Sequence, residues 1–358
     1  MPPTILLKLA LVALLALTGS PGIARELTGA GASFVFPVLS QWSAEYAALG
    51  KGRINYQSIG SGGGIAQAKA GTVDFGSTDA PLASDVLARH GLAQFPSVIG
   101  GVVPVVNLEG IAAGRLRLTG ELLAAIYLGR ITRWDDPAIR AINPDLSLPA
   151  LGIRVVYRSD GSGTTFNFVH YLGQISPDWA ETVGPAATSV RWPIGVGGRG
   201  NEGVAAYVKQ LDGALGYVEL SYALSNRLPH AALRNAAGYW VQPSLASFRA
   251  AAASADWGAA PDFQLLITHA PGKDAWPIAA TNFILMPIAP RDPDATAAAL
   301  RFFDWVYTHG DAPAERLGFV PLPDPLVARI RAYWQQRFPH WSPAVSVASL
   351  PIRPESHP

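Results

Sequence analysis

Val156-Tyr157-Arg158-Ser159-Asp160-Gly161-Ser162-Gly163-Thr164-Thr165-Phe166 joins two different periodicities. Ile153, Val155 and Tyr157 alternate as in a strand, while Phe166, Val169, Tyr171 and Leu172 follow a helical apolar pattern. Between the two, a cation and a carboxylate stand two residues apart and Ser162-Gly163-Thr164 opens the helix. The first N–H groups of a helix have no internal partner and carry the positive end of its dipole, so an oxyanion fits there. Glycine lets a ligand approach the backbone, and Ser and Thr hydroxyls add rotatable donors. Alone, such a turn is more often a solvated, capped helix start than a ligand site. Its weight comes from similar units elsewhere in the chain.

Three precede it. Leu27-Thr28-Gly29-Ala30-Gly31-Ala32-Ser33-Phe34 reads as a short strand and a small-residue turn, with Val38, Leu39, Trp42 and Tyr46 on one helical face, so Ser33 is expected at the helix start. Ile54 to Ile59 alternates like a strand and meets Gly60-Ser61-Gly62-Gly63-Gly64 before a helical pattern. Thr72 to Thr78 is a third strand, with Asp79 just past its end and Pro81 suited to a helix start; an Asp in such a place is commonly a cap. Repeated β-turn-α units predict mainly parallel sheets, in which ligands bind beyond the strand ends, here Ser33, Ser61 and Asp79.

The apolar segment Phe95 to Asn107 contains Gly100-Gly101 and Pro104, which a central strand rarely tolerates, and predicts an extended passage into a second domain. Helices are expected at 119–128, 134–142 and 203–211, and a strand at 213–219. The glycine-rich loop Arg191 to Asn201 is read as structural. Ala275 to Met286 is the return passage, followed by helices at 297–309 and 325–338, the last with Asp324 as N-cap and Pro325 at the first helical position. The organisation predicted is an α/β protein of two domains joined by extended hinge strands. Residues 25–100 with 280–338 form one domain, 101–279 the other, and 339–358 a disordered proline-rich tail.

Composition narrows the setting. Lys8, the apolar run Leu9 to Leu17 and the small residues Gly22 and Ala24 form a secretory signal, cleaved after Ala24. That run is shorter than the roughly 20 residues a spanning helix requires. The chain has no cysteine, which excludes disulfides, thiol catalysis and lipid attachment through a thiol. Lys plus Arg number 27 against 26 Asp plus Glu, and loss of Lys8 leaves them equal, so neither nucleic acid nor an anionic membrane is an expected partner. A soluble, monomeric periplasmic protein is the expectation.

Catalytic chemistry is not evident. The 7 histidines include no His-Glu-x-x-His and no close metal pair. No Gly-x-Ser-x-Gly elbow occurs, and the glycine turns lack the lysine of a phosphate loop. The 10 tryptophans read as packing residues. Neither an enzyme nor a cofactor is expected.

Taken in order, Leu-Thr-Gly-Ala-Gly-Ala-Ser-Phe, Ile-Gly-Ser-Gly-Gly-Gly, Val-Asp-Phe-Gly-Ser-Thr-Asp-Ala-Pro-Leu, Arg-Ser-Asp-Gly-Ser-Gly-Thr-Thr-Phe, Trp-Pro-Ile-Gly-Val-Gly-Gly and Gly-Tyr-Val-Glu resemble the periplasmic phosphate-binding proteins of the high-affinity ABC phosphate transporter, the PstS family. The likeness runs from Leu27 to Phe338. It implies a type II periplasmic binding protein closing over one phosphate, with the membrane permease subunits of an ABC importer as partner. Carried over by position, the ligand groups are Ser33, Phe34 through its N–H, Ser61, Asp79, Arg158, Asp160, Ser162, Gly163 and Thr164. On this reading Arg158 supplies the charge, Asp160 fixes its geometry, and Asp79 accepts a proton that phosphate retains and sulfate lacks. The alternatives are a binding protein for another oxyanion and a secreted interaction protein that keeps the fold.

Overall fold

A computed structural model describes residues 25–339 and Trp341. The expected export signal and the tail from 342 onward lie outside the described residues. The chain alternates as the repeated units imply: β1 (Glu26–Gly31), α1 (Phe36–Ala48), β2 (Arg53–Ser58), α2 (Ser61–Ala70), β3 (Phe75–Thr78), α3 (Ser84–His90) and the 15-residue β4 (Leu92–Val106). The middle of the chain carries β5 (Arg117–Leu118), α4 (Gly120–Tyr127), α5 (Pro137–Ala141), β6 (Arg154–Arg158), α6 (Gly163–Ile175), α7 (Pro177–Val183) and β7 (Val196–Gly198). Then come α8 (Gly200–Gln210), β8 (Ala214–Glu219), α9 (Leu220–Asn226), β9 (Ala232–Arg234), β10 (Trp240–Val241) and α10 (Leu245–Ala252). The chain returns along β11 (Ala279–Pro287) and ends in α11 (Pro293–His309), α12 (Asp311–Arg316) and α13 (Asp324–Arg337).

Eight strands form one hydrogen-bonded series, β2-β1-β3-β11-β4-β8-β6-β7. The trios β2-β1-β3 and β8-β6-β7 are parallel, as expected for each half. The joining strands β11 and β4 run antiparallel to their neighbours, so the whole sheet is mixed. Strand β4 serves both halves: Leu92 to Gly101 pair with β11, and Val102 to Val106 pair with β8. It is buried throughout, which is why its sequence is mostly apolar rather than alternating, its two polar residues Gln94 and Ser97 being buried and hydrogen-bonded. Pro96 is accommodated where the β4–β11 register shifts between Asn282 and Phe283.

Each half has its own aromatic packing. On one side Phe75 and Phe95 meet Phe303 edge-on, and Phe95 also meets Trp334. On the other, Tyr127, Phe168 and Trp192 surround Tyr217, with Phe168 stacked on it at 4.3 Å. Trp42, Trp134, Trp179, Trp276 and Trp334 are fully buried, consistent with tryptophans used for packing. Burying side chains of this size contributes about 1.5–3 kcal/mol each.

Several local expectations need correction. Helix α1 begins at Phe36 with Val35 before it, so Ser33 stands outside the helix and does not cap it. Helix α3 begins at Ser84, leaving Pro81 in the preceding loop and Asp79 free of any capping duty. The helix expected over 134–142 shrinks to Pro137–Ala141, where Asp136 caps the N–H of Ala138. Helix α11 starts early, at Pro293, because Asp292 accepts from the N–H groups of Asp294 and Ala295. Asp324 is the first helical residue of α13 and makes no cap bond. The chain also stays packed past 338: Trp341 is buried against Trp334, with ring centroids 5.3 Å apart.

Candidate functional site

Four strand ends bring the expected residues together. After β1, the turn at Ala32-Ser33-Phe34 is held by two phenols, Tyr56 donating to the Ala32 carbonyl at 2.9 Å and Tyr222 to the Ser33 carbonyl at 2.8 Å. After β2, Gly60 adopts φ +83°, a conformation open to glycine, and presents Ser61 as the first residue of α2. Helix α2 sits directly on the sheet because Gly64 faces Gly31 and Gly76; a Cβ at Gly64 would lie 2.5 Å from the Gly31 Cα. After β3, Asp79 follows immediately. After β6 comes Arg158, and Ser162 caps α6 by accepting from the Thr165 N–H at 3.0 Å.

The two halves touch at this point. A Cβ at Gly163 would fall 2.6 Å from both the Asp79 Oδ2 and the Ser61 Oγ, so only glycine lets α6 approach them. Asp79 is held from the other side: its Oδ1 accepts from Asn282 Nδ2 at 2.7 Å and its carbonyl from Asn167 Nδ2 at 2.7 Å. Ser61 Oγ lies 3.4 Å from Asp79 Oδ2 and accepts from the Asp79 N–H at 3.2 Å. Arg158 pairs with Asp160 through two bonds of 2.8 and 2.6 Å, and its Nη1 reaches Thr164 Oγ1 at 3.4 Å. The remaining Asp160 capacity accepts from the Gly200 N–H at the start of α8. Asp160 thus orients the arginine, while Ser33, Phe34, Ser61, Asp79, Arg158, Ser162, Gly163 and Thr164 form the buried cluster. No backbone acceptor is found for the N–H groups of Phe34, Gly163 and Thr164 among the described residues.

Electrostatics follow from burial. Burial raises the Asp79 carboxyl from 3.8 to about 7, against the opposing pull of the Asn282 hydrogen bond, the Arg158 charge and Ser61. Burial also acts upward on Asp160, but the Arg158 hydrogen bond and charge outweigh it and hold that group below its usual value. Glu219, fully buried at the end of β8, is pushed well upward by burial, opposed by the bonds from Ser221 and reinforced by the charge of Asp79. The cluster therefore combines one guanidinium, free N–H donors, hydroxyls and a carboxylate poised between its two states. That set can surround a small tetrahedral anion carrying a proton.

Three contributors escaped the sequence reading. Asn201, placed in a loop taken as structural, is fully buried and donates to both Ser33 and Thr164. Asn282 and Ser77 bond one another and position Asp79. The available signal was a polar residue inside an apolar run, Asn282 between Ala279 and Met286, since buried amides need partners. Among the described residues no group of three or more His, Cys, Asp or Glu could hold a metal, and no helix is long and apolar enough to cross a membrane.

A family model described as a PBP superfamily domain matches residues 17–309. The phosphate-binding protein PstS of Xylella fastidiosa strain Temecula1 is 59% identical over 313 residues, covering 87% of this chain and 86% of that protein. The phosphate-binding protein PstS of Pasteurella multocida is 49% identical over 312 residues, covering 87% and 90%. This chain belongs to the PstS family. At that coverage the PstS relationship spans both halves of the sheet. The PstS archaeal relative from Methanocaldococcus jannaschii is still 36% identical over 319 residues, covering 82% of each chain. The fold agrees as well: a high affinity periplasmic phosphate-binding protein, PfluDING, solved with phosphate, superposes with a TM-score of 0.68 at 24% identity, covering 86% of this chain and 93% of that one.

Proposed function

We propose that this chain is an extracytoplasmic solute-binding protein that captures inorganic phosphate, as HPO4 or H2PO4, and delivers it to the permease subunits of an ABC importer. It acts in the periplasm after export, as a monomeric carrier and not an enzyme. Residues 25–100 with 280–338 form one lobe and 101–279 the other, meeting near Gly100-Gly101 and Ala279-Ala280. Phosphate oxygens receive the N–H groups of Phe34, Gly163 and Thr164, the hydroxyls of Ser33, Ser61, Ser162 and Thr164, and the guanidinium of Arg158, which Asp160 holds in place.

The observation that carries this reading is Asp79, a buried carboxylate beside Ser61 of its own lobe and facing Gly163 across the lobe boundary. A site built only of donors suits any oxyanion. One acceptor among them suits an anion that still carries a proton, and leaves sulfate with an unmatched pair of acceptors. Such an unpaired group rejects an analogue by ~10⁴ or more. The test is calorimetric titration of the mature protein, stripped of anion, at neutral pH. Tight one-to-one phosphate binding without sulfate heat is expected; sulfate binding, or silence with both, would overturn the assignment.

A further inference from the structure

Asn201 lies outside the set of phosphate ligands, yet it touches two of them. It is the second residue of α8, fully buried. Its N–H donates to Ser33 Oγ at 3.2 Å, and its side-chain Nδ2 donates to the same oxygen at 2.9 Å and to Thr164 Oγ1 at 3.3 Å. The amide cannot turn over, because its Oδ1 accepts from the Glu219 N–H at 3.0 Å. A backbone donor from β8 therefore decides that the NH2 end faces the hydroxyls.

A hydroxyl has two acceptor positions and one proton. Both acceptor positions on Ser33 are taken by Asn201. Those on Thr164 are taken by Asn201 and by Arg158 Nη1. Neither hydroxyl is then able to accept from a ligand, and each proton is left to donate. Ser33 comes from the lobe of β1 and Thr164 from the lobe of β6, so one amide sets both.

Resting on the phosphate-carrier reading, we propose that Asn201 is a positioning residue that fixes Ser33 and Thr164 as obligate donors, making the site selective for an acceptor-rich anion. The amide acts on the anion only through these two hydroxyls. Replacing it by the isosteric carboxylate would invert its end: Ser33 and Thr164 would then donate to the new carboxylate instead of to the anion. Removing it would merely free the hydroxyls to rotate.

The test is titration of wild type, Asn201→Asp and Asn201→Ala with inorganic phosphate, each also carrying Ser33→Ala. Asn201→Ala is expected to weaken binding 10- to 100-fold and Asn201→Asp by more than 1,000-fold. A purely structural role predicts the reverse ranking, since the carboxylate preserves shape and the methyl does not. Ser33→Ala is expected to cost about 10-fold in wild type and almost nothing in the Asn201→Asp background, where the hydroxyl is already diverted. Simple charge repulsion by the new carboxylate would leave the Ser33→Ala cost unchanged and would overturn the proposal, as would tighter binding by Asn201→Asp than by Asn201→Ala. Should Asn201→Asp fail to fold by circular dichroism, the Ser33→Ala and Asn201→Ala pair decides: equal Ser33→Ala costs with and without Asn201 would refute the coupling. Failure of wild type to bind phosphate would instead refute the carrier reading itself.

Discussion

At the scale of single residues, the selectivity role proposed for Asp79 is tied to stability. Its carboxyl is raised by burial to about 7 from 3.8, so between those values the folded protein keeps a proton that the unfolded chain has lost. The contribution of this group is therefore neutral below about pH 4, becomes steadily more unfavourable up to about pH 7, and is flat above, at about 1.4 kcal/mol per pH unit in between. Asp79→Asn cannot titrate. Urea unfolding of anion-free protein should give a wild-type-minus-variant difference that grows against wild type over that window and then levels off; a constant difference would mean that Asp79 is ionised throughout. The same variant keeps an oxygen for Asn282 but turns an amide donor toward Ser61 and Gly163. Sulfate affinity should rise by two orders of magnitude or more, while phosphate affinity changes less, and a variant still blind to sulfate would remove Asp79 from the selectivity role. Asp79 was legible in the sequence because a strand end is a local pattern. Its partner Asn282 lies 203 residues away, and Asn201 is 168 residues from Ser33, so neither contact leaves a trace in local spacing.

At the scale of elements, the two joining strands explain both a success and a misreading. Gly100-Gly101 and Pro104 marked β4 as a passage between domains, and β4 indeed pairs with β11 over one part and β8 over the other. The glycines, however, answer to packing as much as to bending. A Cβ at Gly100 would meet the Phe34 ring at 2.8 Å, and one at Gly101 the Phe248 ring at 2.2 Å. Helix limits were less legible, since caps depend on which acceptor reaches the first turn: Asp292 does so and Asp324 does not. Gly101→Ala should cost about 1–3 kcal/mol by overpacking. Phe248→Ala leaves a cavity and should cost about 3–5 kcal/mol. Because the new methyl occupies space the ring vacates, the double variant should be more stable than the sum of the two losses predicts, as read from paired urea titrations. Strict additivity would show that Gly101 is required by backbone geometry alone.

At the scale of the whole molecule, the site is closed by bonds that cross between the lobes. Gly62 N–H donates to the Gly161 carbonyl at 2.9 Å, Asn167 to the Asp79 carbonyl, and Asn201 to Ser33. If the buried cluster is the phosphate site, as proposed, the anion enters or leaves only when these contacts part, and β4 and β11 are the covalent links about which they would do so. The sequence offers an unusually clean way to test this, because it contains no cysteine. A Cβ at Gly62 would lie 3.1 Å from the Gly161 Cα, and one at Gly161 would lie 3.0 Å from the Gly62 Cα. Neither glycine has a positive φ, so a side chain at either position meets no backbone strain. Both contacts are tight, and a disulfide needs Cβ atoms about 3.5–4.5 Å apart and Cα atoms about 4.4–6.8 Å apart, so the two turns must separate slightly to admit the bridge. Gly62→Cys with Gly161→Cys, oxidised while phosphate is bound, should carry labelled phosphate through gel filtration and hold it against excess unlabelled anion. Reduction should restore exchange at the wild-type rate, and protein oxidised after phosphate removal should take up none. Equal exchange before and after reduction would mean that the anion reaches Arg158 by some path other than the parting of the two lobes.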